Sequence, residues 1–149
     1  MMERAEIEKL IPHRPPFLWI DRVEELEPGV RCVAILSLEP GNPVFSGHFP
    51  ARPVLPGVLM IEAMAQTTAV MLASAGGDQA EAFNLLAAVH RFKFFKPVLP
   101  GERLRIETRK QTQSGSLASI EGLLSVEGEK VASGELSVVL NPAPRRENP

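Results

Sequence analysis

"VLPGVLMIEAMAQTTAVMLASA", residues 54–75, holds a single ionisable residue, Glu62. The run reads as one long apolar helix. Pro56 suits its first turn, where a missing N–H costs nothing. Gly76-Gly77 suits its end, where glycine accepts the left-handed backbone of a C-terminal stop. The length invites comparison with a membrane span. Against that stand Glu62, Gln66, Thr67, Thr68 and Ser74. A carboxylate at mid-span is costly in lipid, and basic flanking loops are missing. The pattern therefore predicts a helix inside the core of a soluble domain, covered on nearly all sides.

The flanking sequence supplies the cover. "ERAEIEKLI" sets Ala5, Ile7 and Leu10 among charges and predicts a short N-terminal helix, stopped by Pro12, Pro15 and Pro16. "FLWIDRVEELEPG" and "VRCVAILSLEP" read as strands, the first ending in a Pro-Gly turn. After the long helix, "FNLLAAVHRFKFFKPV" reads as a strand. "RLRIETRKQ" alternates Leu104, Ile106 and Thr108 against Arg103, Arg105, Glu107 and Arg109, which predicts a half-buried strand with one wet face. "SLASIEGLLSVEGEKVASGELSVVL" reads as two strands around Glu127-Gly128-Glu129. Short turns between late strands make them antiparallel. About six strands and one long helix give an α+β hotdog fold: a curved antiparallel sheet wrapped around a central helix. Residues 1–140 are expected to form one domain. Residues 141–149, "NPAPRRENP", have no core-forming content and are expected to be a loose tail.

Composition sets the context. The chain has 149 residues, a formal net charge of −2 and no basic signature for nucleic acid. One cysteine, Cys32, excludes an internal disulfide and points to a reducing compartment such as the cytoplasm. One Cys and three scattered His make a metal site improbable. "MMERAEIEKLIPHR" lacks the apolar stretch of a signal peptide.

The chemistry-bearing residues lie in "NPVFSGHFPARPVLPGVLMIEAMAQ", residues 42–66. His48 stands in a Gly/Pro-bracketed loop. Glu62 lies about one and a half turns into the helix, with Gln66 one turn beyond it on the same face. The amides of Gly57 and Val58 precede the first intrahelical bonds. Unpaired donors at the positive end of a helix dipole suit a developing oxyanion. Gly57 would let a ligand approach the backbone closely. Taken singly, His48 reads as a turn-capping loop residue; a wet helix stripe around Glu62 is the less favoured reading, because the helix has few other polar residues and none is charged. Taken together they form an acid/base pair beside an oxyanion site. That set suits proton removal next to a carbonyl with loss of a nearby hydroxyl.

"LIPHRPPFLWIDRV", "FSGHFPARPVLPGVLMIEAMAQ" and "RFKFFKPVLPGERL" resemble the FabZ-type (3R)-hydroxyacyl-acyl-carrier-protein dehydratases of bacterial fatty-acid synthesis, from about Ile7 to Leu140. The resemblance implies elimination of water from a (3R)-hydroxyacyl thioester on the 4'-phosphopantetheine arm of acyl carrier protein, giving the trans-2-enoyl thioester. It implies that His48 removes the C2 proton, that Glu62 protonates the departing hydroxyl and that the Gly57 amide holds the thioester oxygen. It implies no metal and no organic cofactor. It further implies homodimers that pair the His of one chain with the Glu of the other, assembled as trimers of dimers. FabA-type dehydratase-isomerases carry Asp at the helix position, so Glu62 favours the FabZ type.

Some positions depart from the family pattern. Pro15 replaces an aromatic and Ala51 a glycine. In the strand after the helix, Asn84 and Leu85 replace aromatics, Ala88 replaces Gly and His90 an acid. In the family, aromatics of that strand gate the acyl tunnel. His13, Arg14, Asp21 and Arg22 read as structural, His90 as a strand or interface residue and Trp19 as core. Arg91, Lys93 and Lys96, helped by Arg103, Arg105 or Arg109, could dock an acidic carrier protein. Two other function classes share the fold. A hotdog thioesterase would hydrolyse the thioester, typically without the loop histidine. A non-catalytic carrier-binding protein would need neither His48 nor Glu62.

Overall fold

A computed structural model of the chain describes residues 1–76 and 84–141. The strands are β1 (Met2–Glu3), β2 (Arg22–Glu27), β3 (Arg31–Ser37), β4 (Asn84–Phe94), β5 (Arg103–Ser114), β6 (Leu117–Val126) and β7 (Glu129–Leu140). They form one sheet in the order β1-β2-β3-β5-β6-β7-β4, with every neighbour antiparallel. The helices are α1 (Arg4–Leu10), α2 (Pro43–Gly47) and α3 (Gly57–Ala73). This is the α+β hotdog arrangement that the pattern predicts. Among the described residues no helix is long and apolar enough to cross a membrane.

Helix α3 packs on β3, β5, β6 and β4, so the sheet folds around it. Its Met60, Ala63, Met64, Val70 and Met71 are at most 2% exposed, facing Ala34, Leu104, Ile106, Ile120 and Leu124 in one cluster that runs from Ile7 to Leu140. Each large aliphatic buried in this way stabilises the fold by about 1.5–3 kcal/mol relative to exposure. On the concave face, Gly122 of β6 is the register partner of Gly134 of β7. A Cβ on Gly122 would lie 2.3 Å from Met64 Sδ, and one on Gly134 would lie 2.2 Å from Phe92 Cδ2. Glycine is therefore required at both positions for Met64 and Phe92 to seat against the strands.

The helix C-terminus is anchored as well as capped. Gly29 donates its N–H to Met71 O at 2.9 Å, tying the β2–β3 turn to the last turn of α3. Gly76 has φ +80°, as a glycine stop requires. Gly77, Phe83 and residues 142–149, which make up all of the expected tail except Asn141, lie outside the described residues.

Three details differ from the sequence reading. A seventh strand, β1, adds two residues to the far edge through Met2↔Val23 and Glu3↔Arg22. Residues 43–47 form a short helix rather than plain loop. Asn42 caps it by accepting Val44 N–H at 3.0 Å, and Pro43 starts it. Strand β2 begins at Arg22 rather than Phe17. The earlier backbone is committed to a side chain: Gln66 Oε1 accepts Trp19 N–H at 2.8 Å, and Gln66 Nε2 donates to Phe17 O at 2.8 Å.

Candidate active site

His48 follows α2 and closes a short loop on itself. Val54 N–H donates to His48 O at 2.9 Å, and the His48 ring Nδ1 meets Val54 O at 2.8 Å. A carbonyl only accepts, so Nδ1 carries the proton and donates. In the neutral ring this leaves Nε2 with a free lone pair, the state a general base needs. Phe49 stacks on the imidazole with centroids 4.0 Å apart and planes 28° from parallel. Leu55 N–H, donating to Val98 O at 2.8 Å, ties the end of the loop to the segment after β4.

Glu62 projects from the second turn of α3, its side chain 23% exposed. Gln66, one turn on, is fully buried and donates to Glu62 Oε1 at 2.9 Å. With its bonds to Phe17 and Trp19, Gln66 uses both amide hydrogens and its oxygen. Its orientation is therefore fixed, and so is the carboxyl that it holds. Oxygen Oε1 is occupied, while Oε2 accepts no hydrogen bond from the described residues. An acid anchored by one oxygen presents the other for proton transfer.

Pro56 is the N-cap of α3 and accepts the N–H of Leu59 at 3.0 Å and of Met60 at 3.4 Å. Gly57 and Val58 head the helix, and among the described residues their amides have no backbone partner. The space that a Gly57 Cβ would fill is taken by Phe94, whose Cε1 and Cζ would stand 2.9 Å from it. The glycine is thus needed for packing in the single chain, over and above the ligand approach expected of it. Val58 is 71% exposed beside it.

His48 and Glu62 form no hydrogen bond or ion pair within the chain. The imidazole that does reach Glu62 is that of His13, with Nε2 3.6 Å from Oε1. The sequence reading takes His13 as structural. Its nearness to Glu62 depends on the whole 11–19 segment docking on Gln66, which no local pattern reveals. Burial lowers the pKa of His13, Glu62 opposes that shift and Arg14 adds to it. Among the described residues no group of three His, Cys, Asp or Glu could hold a metal ion.

The expected docking cations are partly spoken for. Arg91 sits in a β-bulge at φ 47° and donates to Glu135 at 2.6 Å, while Lys96 pairs with Glu129. Lys93 has no ion pair among the described residues. Arg105 and Arg109 turn toward Glu107, which Arg31 hydrogen-bonds at 2.8 Å and holds down to about 2. His90 meets Ser137 Oγ at 3.0 Å on the exposed edge, in keeping with a strand role.

A family model described as a FabA-like domain matches residues 11–135. A 3-hydroxyacyl-[acyl-carrier-protein] dehydratase FabZ from Myxococcus xanthus is 43% identical over 135 residues, spanning 90% of this chain and 88% of its own. The protein of the same description from Geotalea uraniireducens is 42% identical over 136 residues, spanning 91% and 94%. Among solved structures, the dehydratase heterocomplex ApeI:P from Xenorhabdus doucetiae superposes with a TM-score of 0.76 at 19% identity, covering 92% of this chain and 91% of its own. A hypothetical thioesterase with coenzyme A from Streptococcus pneumoniae superposes with a TM-score of 0.64 at 12% identity, covering 80% and 84%. Those two likenesses speak for the fold alone. The matched span contains the His48 loop, the head of α3 and Glu62, at over 40% identity to the two relatives, and the chain belongs to the FabZ family of FabA-like domains.

Proposed function

We propose that this protein is a (3R)-hydroxyacyl-[acyl-carrier-protein] dehydratase of bacterial fatty-acid synthesis, working in the cytoplasm without a metal or organic cofactor. The observation that carries the reading is that the chain holds two preset groups, each oriented by its own partner. One is an imidazole whose Nδ1–H is tied to Val54 O; the other is a carboxyl held by one oxygen on Gln66. The C2–H bond breaks toward His48 Nε2, and its electrons form the C2–C3 double bond. The C3–O bond breaks, and the departing oxygen takes the proton from Glu62 and leaves as water. His48 then holds one proton more and Glu62 one fewer, and exchange through water restores both. The amides of Gly57 and Val58, at the positive end of α3, suit the thioester oxygen as charge builds there. Mass spectrometry of a 3-hydroxyacyl-carrier substrate tests this directly. A loss of 18 Da, the mass of water, is expected; release of free carrier would mean hydrolysis and overturn the reading.

The substrate calls for two partners. Among the described residues edge strand β4 bonds only β7, and Leu85, Leu86, Val89 and Phe94 on it are each 42–49% exposed. A long apolar edge with unpaired backbone groups is a template for another strand. A second copy of this chain, paired there into a dimer, would cover it and bring the partner's α3 near the His48 loop. Trimers of such dimers complete the assembly. The second partner is the carrier protein, acidic and met by Arg91, Lys93 and Lys96. Lys93→Glu combined with Arg91→Glu is expected to raise the apparent KM for the carrier-bound substrate by ~10-fold and to weaken its salt dependence. A short pantetheine-linked substrate should be little affected. Equal losses on both substrates would point instead to damage around Glu135, which Arg91 now pairs.

A further inference from the structure

We propose that His13 is a positioning residue for the acid: a neutral imidazole that donates to Glu62 Oε1 as the carboxylate forms. The inference rests on reading Glu62 as the acid. Three observations carry it. First, His13 Nε2 lies 3.6 Å from Oε1, beyond a hydrogen bond in the resting chain and within a small movement of one. Second, His13 Nδ1 is buried and has no hydrogen-bond partner among the described residues. A neutral ring has one N–H to place, and only Nε2 faces an acceptor, so the proton is assigned there. An imidazolium would leave a buried N–H unsatisfied at Nδ1, and burial accordingly disfavours the charged form. Third, the backbone that carries His13 is pinned on both sides. The Arg14 guanidinium donates to Glu8 O, Ile11 O and His13 O at 2.7–2.8 Å, and Gln66 holds Phe17 and Trp19.

The charged groups bearing on His13 are Glu62 from α3 and Arg14 from its own segment. A neutral donor differs in kind from a lysine or arginine at the same place. A fixed cation would favour the ionised carboxylate before any substrate arrived and so remove the acid. A neutral N–H favours the carboxylate less at rest and strengthens its bond as charge develops. His13 and Gln66 both address Oε1. Oxygen Oε2 is left for the hydroxyl that departs.

Variants of the full chain, assayed on a 3-hydroxyacyl-carrier substrate, test the assignment. His13→Leu is expected to lower kcat by ~10–100-fold, the span of one lost charge-assisted hydrogen bond, with KM little changed. His13→Gln, which can place an N–H near the Nε2 position, should recover most of kcat. His13→Asn, whose donor falls short, should not. In a Glu62→Gln background His13→Leu should cost nothing further. Unchanged kcat in His13→Leu, equal loss in the Leu and Gln variants with a lowered unfolding temperature, or a full further loss in the Glu62→Gln background would each overturn the proposal. Should His13→Leu fail to fold, the contrast between Gln and Asn decides alone. Near-normal turnover of Glu62→Gln overturns the acid reading and this proposal with it. An inactive Glu62→Gln beside a fully active His13→Leu overturns the proposal and leaves the reading standing.

Discussion

Turnover by His48→Ala, and by Glu62→Gln, is expected to fall by ~10²–10⁴-fold, the usual worth of a positioned acid or base. The two substitutions remove chemistry with little loss of packing. The His48 ring is half-buried, stacks on Phe49 and makes one hydrogen bond, to Val54 O. Losing that bond costs about 1 kcal/mol, and the loop keeps its main-chain closure between Val54 and His48. Gln at position 62 keeps the volume of Glu62, and its carbonyl oxygen can still accept from Gln66 Nε2 at the position of Oε1. What it cannot do is release a proton. Steady-state rates measured beside thermal unfolding curves separate the cases. Inactive, folded variants are the expected result. Unfolding of both at ordinary temperature would make the residues structural, and near-normal turnover of either would remove it from the mechanism.

Mixing the two inactive variants should restore activity. The expectation follows from the proposed sharing of the site between subunits, in keeping with which no hydrogen bond or ion pair joins His48 to Glu62 in one chain and β4 is an exposed edge among the described residues. If each site takes His48 from one subunit and Glu62 from its partner, a mixed dimer has one site with both lesions and one with neither. Unfolding the variants together and letting them reassemble gives about half mixed dimers by random pairing, and thus about one quarter of wild-type activity, by counting on a two-fold interface. If one chain supplied both residues, every site would keep a lesion and activity would stay at the level of the separate variants. Size measurements that confirm exchange of subunits, with no recovery, would rule out the shared site.

The long helix was legible as an apolar run between Pro56 and Gly76, and the half-buried β5 and the β6–β7 hairpin were legible because each repeats one local period. Leu104, Ile106 and Thr108 face inward as their spacing predicts. Glu127 and Gly128, at φ 49° and 78°, form the turn where the sequence breaks its alternation. Other features follow from partners distant in the chain. Trp19 and Phe17 look like strand residues, but their backbone groups bond Gln66, nearly fifty positions away. The pair Met2–Glu3 is too short to carry a pattern and exists because β2 offers an edge. The helix at 43–47 did have a local signal, the Asn-Pro of an N-cap and first turn, set among prolines and glycines that suggest loop. In the site, His48 and Glu62 stood out by residue type and spacing. His13 did not, because only the docking of residues 11–19 on α3 brings it to Glu62.

The facing glycines Gly122 and Gly134 bear on how the protein can vary. They line no candidate site, yet Met64, which fills the space above Gly122, lies two positions from Glu62 on the same helix. Phe92, which fills the space above Gly134, lies two positions from Phe94, which in turn covers Gly57. Any side chain added at either glycine displaces a neighbour whose strand or helix also carries part of the site. The mutational landscape should therefore show two intolerant points in mid-sheet, remote from the chemistry and coupled to it. Lineages that enlarge residue 122 would have to shrink residue 64 at the same time, whereas at 134 the Phe92 Cα, 2.9 Å from an added Cβ, blocks even that escape.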